Sequence, residues 1–77
     1  MKDLTNEELE FCFYKQGQSG SFTTNLFNAI LTADFGNQYK LSFGFPNEVE
    51  VVKRYQNESG YWEQLQSKFN NNENKEA

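Results

Sequence analysis

The residues able to do chemistry in this chain are few, and one stretch concentrates them. Gly17-Gln18-Ser19-Gly20-Ser21-Phe22-Thr23-Thr24 sets two glycines and four hydroxyls at the start of an expected helix. Glycines let backbone amides come close to an anion, and a helix start adds free amides and the positive dipole end. Ser19, Gly20, Ser21, Thr23 and Thr24 are therefore candidate ligands for a phosphate. The stretch is not a P-loop, because the lysine of that motif is missing and Lys15 precedes the loop. The competing reading is a capped turn between two helices. Lys53-Arg54 is the one adjacent basic pair and would supply cations to a bound anion. With Tyr39, Lys40, Tyr61 and Trp62 it could also form a patch on which a nucleotide base stacks. Equally, it could be the ordinary basic end of a helix.

Catalysis finds little support. The chain has no histidine and a single cysteine, Cys12. No Ser–His or Cys–His pair can form, so the usual activated nucleophiles are missing. Glu7, Glu8 and Glu10 read as acidic residues at a helix start. Cys12 shares an apolar face with Leu9 and Phe13, where a thiol is usually inert. No catalytic residue, metal ligand or cofactor is expected, and a structural zinc site is a poor fit to this composition.

The balance of charge points to a different use. Eleven acidic against seven basic residues give a net charge of −4. The basic stripe of a nucleic-acid binder is absent, so direct sequence-specific binding to nucleic acid is not expected. Acidity of this size serves solubility first. It can also present carboxylates to a basic partner, and Glu7, Glu10, Glu48 and Glu50 are the candidates. The aromatics are the second surplus: 8 Phe, 4 Tyr and 1 Trp in 77 residues. A domain this small has trouble hiding that many rings. Phe11, Tyr14, Tyr61 and Trp62 are therefore candidate partner contacts, and self-association is a possibility. No apolar run is long enough to span a bilayer. The first residues lack a cationic-then-apolar leader, and with one unpaired thiol this fits the cytoplasm.

The elements that must position these residues are helices. Thr5 and Glu8 form a capping box, and the first helix should stop near Gly17. It is apolar around much of its circumference, so it is either sandwiched in a core or contacts a second chain. Ser21 is the expected N-cap of a second helix over Phe22–Ala33, with Phe22, Leu26 and Ile30 in one row and Phe27 and Leu31 in the next. A short helix over Gln38–Phe43 should end at Gly44. Pro46 suits the first position of a fourth helix whose buried stripe is Val49, Val52 and Tyr55 or Gln56. Three valines there leave a strand over Val49–Val52 as the alternative. Tyr61–Phe69 reads as a last helix, and residues 70–77 as a disordered Asn-rich tail. The expectation is one all-α domain, residues 1–69, built as a compact bundle of four to five short helices.

A resemblance adds context. Gly20-Ser21-Phe22-Thr23-Thr24-Asn25-Leu26-Phe27-Asn28-Ala29-Ile30, Ala33-Asp34, Gly44-Phe45-Pro46-Asn47-Glu48-Val49-Glu50, Arg54-Tyr55 and Gly60-Tyr61-Trp62 together resemble a group of short proteins carried by phages and integrated mobile elements. The likeness spans about Tyr14 to Trp62 and carries no catalytic residue with it. It implies a small cytoplasmic protein acting in a host cell. Short acidic phage proteins are often similar in size and charge to inhibitors of host defence. These include anti-CRISPR proteins and sponges for cyclic nucleotide signals. Three functions are thus expected as alternatives. One is a non-enzymatic inhibitor that binds a host defence protein. Another is a homo-oligomeric sponge holding a nucleotide signal at Ser19–Thr24. The third is a phage accessory or architectural protein.

Overall fold

The computed structural model describes residues 4–76, with side chains up to Asn70. Five helices follow in order: α1 (Asn6–Lys15), α2 (Ser21–Thr32), α3 (Phe35–Leu41), α4 (Pro46–Asn57) and α5 (Tyr61–Glu76). The fold is an all-α bundle, and among the described residues there is no strand. Of the expected tail over 70–77, Asn70 continues α5, and the rest falls outside the residues whose side chains are described.

Each helix start has a local cause. Thr5 Oγ1 accepts from the Glu8 amide at 3.1 Å, and the Thr5 amide donates to Glu8 Oε1 at 3.0 Å. This is the reciprocal capping box that the spacing predicts. Helix α1 ends with Gly17 at φ +75, the Gln18 amide reaching back to the Phe13 carbonyl and the Gly17 amide to that of Tyr14. That left-handed closure is a Schellman motif, and glycine adopts it without steric cost. Pro46 opens α4 as expected, and helix prevails over strand across Val49–Val52.

Two boundaries differ from expectation. The N-cap of α2 is Gly20, not Ser21, and no side chain caps it. Ser19 is instead bonded to Thr24, their hydroxyl oxygens 2.8 Å apart. That contact joins the residue before the cap to the fourth helical residue, the place a hydrophobic staple would take. Helix α3 begins at Phe35, three residues earlier than the reading from Gln38. Asp34 caps it by accepting from the Asn37 amide at 2.8 Å, so the stretch that looked like punctuation is already helical.

The core forms where α1 lies between α2, α4 and α5. Phe11 is fully buried at its centre, with Phe27 and Tyr55 rings each 5.1 Å away and Trp62 at 5.7 Å. These edge-on arrangements suit the ring quadrupoles. Cys12, Phe27, Ile30, Val49, Val51, Val52, Tyr61, Leu65 and Phe69 complete the core. Helices α1 and α5 run the same way: Glu8 meets Tyr61, Cys12 meets Leu65, and Phe13 meets Phe69. The all-round apolarity of α1 is thus explained by neighbours within the chain. Helix α4 touches each of the other four helices, so it is the axis on which the bundle is built.

Candidate functional site

Helices α1 and α4 bring four of the expected carboxylates to one side. The Glu10 carboxyl is held above its ordinary pKa, first by loss of surrounding water and then by the charges of Glu48 and Glu7. Glu7 and Glu50 line a shallow cleft of about 220 Å³ with Thr5, Glu8, Asn47, Val51, Arg54 and Tyr61. Glu7 and Glu48 are half-buried, while Glu10 and Glu50 are exposed. Carboxylates from two helices, far apart in sequence, thus meet in two adjoining groups that share Glu7: Glu10 with Glu48, and the cleft with Glu50. Among the described residues, no three acidic or thiol groups are close enough to hold a metal ion.

The floor of the cleft is ordered by Tyr61. Its ring is buried, and its hydroxyl donates to Glu8 Oε2 at 2.8 Å. Burial first, and then the Glu8 carboxylate accepting this bond, hold its proton far more tightly than a free phenol would. The Arg54 guanidinium lies 4.3 Å from the centre of the Tyr61 ring and pairs with Glu58 at 2.8 Å. One cation is therefore fixed at the edge of an otherwise acidic cleft. An exposed pair of this kind adds little stability, but it fixes where the guanidinium points.

Two expected contact residues are corrected. Phe11 and Tyr61 are buried in the core and cannot meet a partner directly. Trp62 is half-buried, edge-on to Tyr55 at 5.8 Å. Tyr14 is half-buried too, and its hydroxyl donates to the Asn28 side chain. A helix with apolar residues on every side signals contact but does not say with what, and here the contact is internal.

The candidate anion loop is less open than its composition implies. Ser19 and Thr24 spend their hydroxyls on each other, and the Thr24 hydroxyl also lies 3.4 Å from the Ser19 carbonyl. Ser21 lies in the first turn of α2, and Thr23 is half-buried. The expected cations have other engagements. Arg54 sits over Tyr61, and the Lys53 ammonium is 6.0 Å from the Phe35 ring. The proposed aromatic and cationic patch also divides into separate places. Tyr39 packs on Phe43 at 4.9 Å, whereas Tyr55 and Trp62 lie under the Lys15 ammonium at 5.0 and 5.8 Å. A wider depression of about 560 Å³ over the α4–α5 turn is lined by Asn57, Glu58, Trp62 and Glu63 among others and has no cation in its wall. It does not suit a phosphate.

Cys12 is buried, its sulfur 4.0 Å from the Leu65 carbonyl. Burial, and then the Glu8 charge, push its pKa up to about 11. Such a thiol stays protonated and is a poor nucleophile. The sequence did not point to Gln38, which is buried and donates to the Ile30 carbonyl and to Gln56, both at 3.0 Å. Gln56 in turn donates to the Leu31 carbonyl at 3.2 Å. The two amides satisfy the end of α2, which has no basic residue in its last turn.

No family model matches the chain, and neither a curated protein nor a solved structure matches it. No helix among the described residues is long and apolar enough to cross a membrane.

Proposed function

We propose that this chain is a non-enzymatic binding protein that occupies a basic surface on a host protein, as a mobile-element inhibitor of bacterial defence would. The observation that carries the reading is the approach of Glu7 and Glu48 to Glu10 across α1 and α4, close enough to raise the Glu10 pKa, with Glu50 beside Glu7 in the adjoining cleft. Like charges held together cost the fold stability, and a basic partner surface would relieve that cost. Such a surface is typical of proteins that bind nucleic acid, and an inhibitor in this position competes for it. The resemblance to short phage and mobile-element proteins is what points the reading toward a bacterial host and its defences.

The test is phage plating on defence-bearing hosts, CRISPR-bearing strains among them, with and without the protein. Expression should raise plating efficiency, and Glu10→Lys/Glu48→Lys/Glu50→Lys should abolish the gain while circular dichroism stays unchanged. Binding to the target should weaken steeply as salt rises. No effect on any defended host, or an effect that survives the triple reversal, would overturn the reading. Calorimetry against cyclic and linear nucleotides separates it from a nucleotide sponge, since binding that is lost on Ser21→Asp would favour the loop instead.

A further inference from the structure

Helix α3 turns its large side chains away from the core. Phe35, Tyr39 and Phe43 are spaced by four residues and are 79%, 62% and 72% exposed. Tyr39 and Phe43 pack edge-on at 4.9 Å, and Phe35 lies one helical turn before Tyr39, so the three form an apolar ridge. Phe22, 67% exposed, packs against Phe45 at 6.0 Å. Scattered exposed rings are ordinary on a protein surface, but three set four residues apart along α3 and the turn that follows it are not.

We propose that this ridge is the interface of a symmetric dimer of the chain, with two α3 helices packed antiparallel about a two-fold axis at Tyr39. Area is the first argument. At roughly 200 Å² per aromatic residue, the exposed parts of Phe35, Tyr39 and Phe43 present about 430 Å² per copy. Two copies would bury about 850 Å², the size of a weak, reversible interface. Charge is the second. The chain carries a net charge of −4, yet residues 35–46 contain no carboxylate and a single lysine, Lys40. Lys53, beside Phe35, adds a second cation near the ridge. Two copies of an acidic protein can meet here without bringing carboxylates together. Spacing is the third. An antiparallel pair centred on Tyr39 sets Phe35 against the partner's Phe43 and Tyr39 against its own counterpart.

Sedimentation equilibrium of the full chain tests this, from about 1 μM to about 1 mM, the range of a weak, reversible interface. The wild-type chain should pass from monomer to dimer within that range. Tyr39→Lys should weaken association about 1,000-fold, since a symmetric contact loses a central anchor twice. Tyr39→Glu should do the same, and an equimolar mixture of the two variants should dimerise again, because opposite charges then meet at the axis. Phe35→Lys, at a still more exposed position, serves as a second variant whose folding is not in question. A chain that remains monomeric at the highest concentration overturns the proposal. So does a dimer indifferent to Tyr39→Lys and Phe35→Lys, or a mixture that fails to restore association. Glu10→Lys/Glu48→Lys/Glu50→Lys should leave the dimer intact, so the failure of one proposal is distinguishable from failure of the other.

Discussion

Glu10 and Cys12 lie two residues apart on α1, one exposed and one buried, and the fold disfavours the ionised form of both. The Glu10 pKa is raised, so its ionised form is the one the fold disfavours. Below the unfolded carboxyl pKa of about 4.3 the residue is protonated in both states and adds no such penalty. The penalty appears as pH rises through the folded pKa. Glu10→Gln should therefore raise the melting temperature at neutral pH and leave it unchanged in acid. The gain should be small, about 0.3 kcal/mol, because water screens an exposed carboxylate. Thermal unfolding at the two pH values checks this, and an equal gain at both would contradict it. Cys12 should resist alkylation in native buffer and react fully in denaturant, which mass spectrometry reads directly. Rapid native labelling would mean that the thiol is not shielded.

Among the elements, α1 is closed at both ends by devices that the sequence displays. Thr5→Ala removes the capping box and should cost about 1 kcal/mol, seen as a lowered urea midpoint with an unchanged slope. Gly17→Ala meets no neighbouring atom, so its cost of about 1 kcal/mol would come from the left-handed backbone alone. These features were legible because a cap is written in four adjacent residues. The start of α3 was harder to read. Gly36 beside Asn37 resembles a turn, and only the Asp34 carboxylate bonding the Asn37 amide turns the stretch into a first helical turn. The Gln38–Gln56 bond joins residues 18 apart, and no local spacing announces it.

For the molecule as a whole, the sequence told the class of fold but not which rings go inside. Phe11 and Phe22 are the same residue type, each on a helix, yet one is fully buried and the other 67% exposed. The row Phe22, Leu26, Ile30 passes from exposed through half-buried to buried along α2, because only the later turns reach the core. The carboxylate surface was half legible. Residue type named its members, while their convergence needed α1 packed on α4. Phe11→Ala should cost about 3–5 kcal/mol. A domain of this size has roughly 4–11 kcal/mol in total, so the variant should lose much of its native population at 37 °C, read by near-ultraviolet dichroism.

The position of Trp62 gives the protein a built-in optical gauge. It is the chain's one indole, lodged edge-on to Phe11 of α1 and Tyr55 of α4 with the Lys15 ammonium 5.8 Å from its ring. Its emission therefore responds to the union of three helices in a single signal, without any added dye. Separating α5 from the other two would expose the indole to water and shift the spectrum to the red. A titration of carboxylate-surface variants could thus be followed at low concentration with no label to disturb the surface under study.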